Sequence, residues 1–145
     1  MGIQLKPIED KYFSEIIILL QSISDFYPEK TNYQSILKLF LNQRYVFGIV
    51  AIDSINNGNT EKVIGFGSLH LSRKIRGGII GFIEEIAVIE NYKGRGIGKL
   101  IMQELIDNAR NEKCYKLVLE CRDEKKFFYE KLGFNCSGHS MSLIL

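Results

Sequence analysis

The stretch that most limits the fold is residues 79–109. An apolar run, "IIGFIEEIAVI", gives way through "ENYKGRGIG" to "KLIMQELIDNA". The run has the length and β-branched content of a strand. After it, Ile97, Leu100, Ile101, Leu105 and Ala109 recur at helical spacing, which predicts an amphipathic helix with those residues on its inner face. A strand that turns into a helix through Gly94, Gly96 and Gly98 commits the chain to layered α/β packing, because the helix must fold back onto the sheet.

The loop also has chemistry of its own. Glycines let a backbone approach a ligand closely and adopt conformations that other residues resist. Where such a loop opens a helix, free N–H groups and the helix dipole favour an anion. Lys93, Arg95 and Lys99 add positive charge beside it. Two readings stand: a phosphate or pyrophosphate cradle, and a tight turn with solvated cations. Tyr92 and the long helix favour the cradle. Spacing excludes two common phosphate loops. A Walker A loop needs Ser or Thr after Gly-Lys, and Gly98-Lys99 is followed by Leu100. A dinucleotide fingerprint needs a third glycine three residues after the second, and Lys99 occupies that place.

The rest of the chain fills in a mixed sheet. "GIQLKPI" reads as a strand ended by Pro7, and Phe13, Ile16, Ile17, Leu20 and Ile23 predict a helix from Lys11 to Asp25. "DFYPEKT" breaks it, and Thr31 is a candidate N-cap for a second helix carrying Ile36, Leu37 and Phe40. "YVFGIVAI" and "KVIGFGSLHL" read as strands around the turn "DSINNGNTE", where Asn57-Gly58 suits a hairpin. "SRKIRGG" is a basic connection to the third meander strand. "YKLVLE" reads as a buried strand and "EKKFFYEKL" as a short helix with Gly133 as its left-handed C-cap. "FNCSGHSMSLIL" is expected to add the last strand or strands. The order β-α-α-β-β-β-α-β-α-β gives an α/β mixed-sheet fold, one domain over residues 1–145.

Composition narrows the partners. Net charge is +2, with 46% apolar and 25% charged residues, so bulk charge predicts no nucleic-acid or membrane partner. No apolar run is long enough to span a bilayer, and "MGIQLKPIED" has no signal-peptide core. Cys114, Cys121 and Cys136 form no close pair. They read as small apolar core residues in a reducing, cytoplasmic setting. His70 and His139 have no ligand spacing, so no metal is expected.

The loop "KGRGIG" resembles the acetyl-coenzyme A motif of the GNAT acetyltransferase superfamily, Arg/Gln-x-x-Gly-x-Gly/Ala, with Lys93 in first place. "GFIEEIAV", "YKGRGIGKL", "CYKLVLEC" and "FFYEKLGF" follow the order and spacing of glucosamine-6-phosphate N-acetyltransferases within it. The resemblance covers residues 63–143 well, and the N-terminal third by element order. It implies splayed central strands and a loop, Lys93, Gly94, Arg95, Gly96, Ile97, Gly98 and Lys99, that holds the acetyl-CoA pyrophosphate. By the same resemblance Ile86, Ala87 and Val88 would line the splay and place the thioester. It also implies a homodimer, direct attack by the amine in a ternary complex, and use in amino-sugar metabolism.

Other residues could carry the amide-forming chemistry. Glu84 and Glu85 are adjacent, so on a regular strand they face opposite ways, unless a bulge redirects one. Either they are solvated edge carboxylates or one serves the site, and such a pair is unusual in an apolar strand. Glu120 ends its strand where a carboxylate could meet an amine, or it is a plain loop carboxylate. By resemblance Glu120, Tyr115 and Lys116 contact the amino sugar. Tyr129, a phenol with pKa near ~10 against ~8.5 for a thiol, can donate a hydrogen bond to a leaving thiolate. The resemblance assigns it that role, while a half-buried core tyrosine is the plain alternative. Arg73, Lys74 and Arg76 suit a sugar phosphate or form a solvated turn. The tail departs from the subfamily: Ile144 stands where an arginine often reaches the phosphate. Either the basic turn substitutes for it or the acceptor is another amine, small or peptidic. A non-catalytic coenzyme A-binding module is the third alternative.

Overall fold

The structure, a computed structural model, describes residues 2–22 and 33–145. The expectations for Ile23, Asp25, the break in "DFYPEKT" and the Thr31 cap lie outside the described residues. Along the chain run β1 (Ile3–Pro7), α1 (Phe13–Leu20) behind a 3₁₀ turn at Asp10–Tyr12, α2 (Tyr33–Leu41), β2 (Val46–Ile55), β3 (Thr60–Arg73), β4 (Ile79–Val88), α3 (Ile97–Asn111), β5 (Lys116–Val118) and α4 (Lys126–Glu130). The strands form one sheet in chain order. All neighbours are antiparallel except β4 and β5, which α3 links as a parallel crossover.

Helices cover both faces of the sheet. On one, Ile97, Ile101, Met102, Leu105 and Ala109 of α3 are buried against Ile49, Ala51, Ile64, Leu69 and Ile83. Each Ile, Leu and Met among them contributes about 1.5–3 kcal/mol on burial. On the other, Tyr12, Ile16 and Leu19 pack on Val50, Ile52, Val63 and Phe66. The expected inner face of α3 needs one correction: Leu100 is 48% exposed and Met102 is buried. At 3.6 residues per turn Leu100 points about 60° outside the arc that Ile97, Ile101, Met102, Leu105 and Ala109 share.

The hairpin between β2 and β3 is tighter than its turn residues suggested. Pairing continues to Ile55 and Thr60, and Asn56, Asn57 and Gly58 make the reversal with positive φ. A register shift near Ala51 and Ile52 frees a backbone amide, and Val63 N–H donates to Glu15 Oε2 at 2.9 Å. Glu61 then clamps the start of α1 to the hairpin. It accepts from Lys6 Nζ at 2.6 Å and Tyr12 Oη at 2.7 Å and pairs with Lys11 Nζ at 3.1 Å.

Those partners, Lys6 foremost, lower the Glu61 pKa from 4.5 to about 2. A carboxylate depressed on folding stabilises above its unfolded pKa, and that contribution is lost as pH falls through the folded value. Glu61→Gln is therefore expected to lower the melting temperature by a few degrees at neutral pH. The difference from wild type should close as pH falls from 4.5 towards about 2 in melts across pH. A constant difference across that window would show that the clamp is not electrostatic.

Two features shape the far end of the sheet. β4 pairs with β5 only from Ile80–Lys116 to Phe82–Val118, so β4 continues to Val88 with its outer edge open, as the splay predicts. The expected strand over "YKLVLE" is correspondingly shorter. The last strand expected in "FNCSGHSMSLIL" is absent: no strand is formed there, and Met141, Leu143, Ile144 and Leu145 are 92%, 83%, 81% and 110% exposed. A strand needs a hydrogen-bonded neighbour, and among the described residues the tail has none. Cys121 and Cys136 are also exposed, and Cys114 is half-buried, which corrects the expectation of three core cysteines.

Candidate functional site

After β4 a 3₁₀ turn at Glu90–Tyr92 leads into the glycine loop, and Gly96 is the N-cap of α3. Gly94 and Gly96 have φ of 79° and 80°, the left-handed region where a Cβ is strained. No side chain caps the helix. Among the described residues, none of the N–H groups of residues 94–99 meets a protein acceptor; the first bonded amide is Leu100, to Gly96 O at 3.0 Å. A Cβ built at Gly94 or Gly96 would meet nothing within 4 Å, so the loop surface is open. A row of free donors at the positive end of a helix fits a pyrophosphate. Lys93 pairs with Glu90 at 2.8 Å, Arg95 lies over the Tyr92 ring at 4.8 Å, and Lys99 is exposed.

The acidic pair sits on a bulge. Ser68 faces Glu84 and Phe66 faces Ala87, so Glu85 and Ile86 together oppose Gly67. Glu85 takes a φ of 55°, a backbone cost of about 1–3 kcal/mol of the kind that gathers at functional sites. Fully buried Ser68 donates to the Glu84 carbonyl at 3.2 Å and stands 3.1 Å from His70 Nε2. Glu85 faces solvent as a residue, yet its carboxyl is crowded. Burial first, then the Glu84 charge, pushes its pKa up. Burial likewise lowers that of His70. Ile86, Ala87 and Val88 lie just past the bulge, where β5 has already parted from β4.

α4 closes the other flank. The Phe128 ring lies 3.4 Å from where a Gly98 Cβ would stand, and the Tyr129 ring meets Phe128 edge-on at 4.9 Å. Tyr129 is therefore held beside the start of α3. Burial raises its pKa, with a smaller push from Cys121, which keeps the phenol protonated and able to donate. Gly133, at φ 100°, ends the helix as expected. Glu120 is exposed past β5 and accepts a hydrogen bond from the Ser140 hydroxyl.

The basic turn forms a separate group at the other end of β4. Lys74 Nζ sits 5.5 Å from the Phe82 ring, and Lys116 Nζ 6.0 Å from that of Tyr115. The Tyr115 ring packs on Gly78 of the turn, while Arg73 and Arg76 are exposed. The structure thus gathers the loop, the bulge and Tyr129 around the opened strands, and sets Tyr115, Lys116 and the basic turn beside the β4–β5 pairing. Sequence reasoning passed over Ser68, Ser140 and Asp53, whose carboxylate accepts from the Tyr92 hydroxyl at 2.6 Å. Nothing in their local sequence marks them, since each acts through a partner on another element.

A family model described as acetyltransferase (GNAT) family matches residues 14–134. A protein named glucosamine 6-phosphate N-acetyltransferase 1 from Dictyostelium discoideum is 34% identical over 99% of this chain and 92% of that protein. A glucosamine 6-phosphate N-acetyltransferase from Trypanosoma brucei brucei is 38% identical over 59% of this chain, and the match spans 60% of that protein. The crystal structure of a Trypanosoma brucei acetyltransferase superposes with a TM-score of 0.86 at 26% identity, covering 99% of this chain and 100% of that one.

Proposed function

The chain belongs to the acetyltransferase (GNAT) family, and on that premise we propose that it moves the acetyl group of acetyl-CoA to the amine of glucosamine 6-phosphate. The observation that carries this reading is the row of amides at residues 94–99, unpartnered among the described residues, that follows the end of β4 left unpaired by β5. Acetyl-CoA supplies an activated thioester and, in its tail, the pyrophosphate that such a row accepts.

The chain's own groups then divide the work. Loop amides, with Arg95 and Lys99, hold the diphosphate. Ile86–Val88 offer main-chain donors beside the thioester carbonyl. Glu85 takes the amine proton, Glu120 orients the amine, and the Tyr129 hydroxyl donates to the departing sulfur. Holding amine and thioester together supplies much of the rate. Arg73, Lys74 and Arg76 receive the sugar phosphate, with Tyr115 and Lys116 alongside and Glu84 below. The names of the relatives support the sugar phosphate as acceptor. Exposed Ile144, where a phosphate-binding arginine is often found, favours a second reading with another small amine.

A coupled thiol-release assay over a panel of amines separates these readings. Turnover is expected with glucosamine 6-phosphate and much less with glucosamine, and Tyr129→Phe should slow it about tenfold or more. Faster release with an unphosphorylated amine sinks the phosphosugar. Tight coenzyme A binding with no release from any amine leaves only a binding module.

We also propose a cytoplasmic homodimer. The free cysteines suit a reducing compartment. The exposed apolar residues at 141–145 need cover, and the open edge of β5 in a second copy offers it. Deleting residues 141–145 is expected to convert a dimer to a monomer in sedimentation equilibrium. An unchanged mass would remove the tail from the interface.

A further inference from the structure

The cations of the loop are not equally free. Lys93 is held by Glu90, whereas Arg95 makes no salt bridge among the described residues and instead lies over Tyr92, its guanidinium carbon 4.8 Å from the ring centroid. A planar guanidinium on an aromatic face keeps its N–H edge available for phosphate. The direction of that edge depends on the ring. The ring in turn is tied by its hydroxyl, which donates to Asp53 Oδ2 at 2.6 Å. Asp53 stands inside the sheet, paired with Ile3 on β1 and Lys62 on β3, so the anchor is rigid. Lys62 Nζ approaches the same ring at 5.7 Å.

We propose that Asp53 and Tyr92 are positioning residues for the cofactor loop: Asp53 fixes the Tyr92 ring, and the ring aims the Arg95 guanidinium at the cofactor's phosphates. This rests on the acetyl-CoA reading above and adds to it a chain of contacts reaching from β2, 39 residues earlier in sequence. A loop of three glycines has little side-chain packing to hold a long cation. A stacked ring tied to the sheet reduces the freedom that phosphate binding must otherwise remove.

The test is titration calorimetry with coenzyme A on wild type, Tyr92→Phe, Asp53→Asn and Arg95→Ala, with Tyr92→Phe repeated in the Arg95→Ala background. Tyr92→Phe keeps the ring and loses only the anchor. Each single change is expected to weaken binding by about three- to tenfold. In the Arg95→Ala background Tyr92→Phe should have no further effect, because the group it aims is gone. In steady-state assays the loss should fall on KM for acetyl-CoA rather than on kcat. An equal loss from Tyr92→Phe with and without Arg95 overturns the proposal, as does wild-type affinity in both Tyr92→Phe and Asp53→Asn. Wild-type protein that fails to bind coenzyme A would instead overturn the acetyl-CoA reading itself, and this inference with it.

Discussion

Gly96→Val is expected to weaken coenzyme A binding by about 100-fold or more while leaving the fold intact, a loss of about 2.7 kcal/mol. Two effects combine. At φ 80° and ψ 9° a β-branched residue is strained, by about 1–3 kcal/mol. Its side chain also projects from the open loop surface, where nothing beyond the adjoining chain lies within 4 Å and where the diphosphate is proposed to bind. Gly58→Val separates the two effects. Gly58 has φ of 85° with equally open surroundings, but it lies on the β2–β3 hairpin. Both variants should lose similar thermal stability, and only Gly96→Val should lose coenzyme A affinity in calorimetric titrations. Equal affinity in both would mean that the row of amides is not the phosphate site.

What could be read in advance, and what could not, follows from how far each signal reaches along the chain. The loop was legible because its requirements are local: left-handed backbone at Gly94 and Gly96 demands glycine at those places. The strand before it and the helix after it were legible from periodicity, although the edge of the inner face was misplaced, with Leu100 counted in and Met102 left out. The acidic pair at Glu84 and Glu85 was visible as an anomaly. Its resolution by a bulge was not, because register is set by how β3 and β4 meet. The tail shows the same limit from the other side. Its apolar residues have strand propensity, but a strand is formed by its neighbour, and among the described residues none pairs with it. The Glu61 clamp and the Asp53–Tyr92 bond join residues 39 to 55 apart, beyond any local pattern.

With Glu85 as the proposed base, the bulge also sets the pH dependence expected of the reaction. A base must be deprotonated to accept the amine proton, and Glu85 holds its proton above the ordinary 4.5 because its carboxyl is desolvated and Glu84 lies alongside. Wild-type kcat/KM for glucosamine 6-phosphate should therefore rise with pH through a limb lying above that value. Glu85→Gln preserves the shape of the side chain and removes the base, so kcat should fall by about 100-fold or more and the carboxylate limb should vanish, leaving only that of the substrate ammonium. Glu84→Gln acts in the opposite sense on the same group. Removing the neighbouring charge relaxes the Glu85 pKa downwards, so the acid limb should persist and move to lower pH. Glu120→Gln supplies the contrast, since Glu120 is exposed and engaged by Ser140. Loss of the limb in Glu120→Gln, with the profile retained in Glu85→Gln, would transfer the proton acceptor to the end of β5. Profiles recorded from about pH 5 to about pH 9 decide between the two carboxylates. The shift expected of Glu84→Gln makes the decision independent of any loss of fold in a single variant.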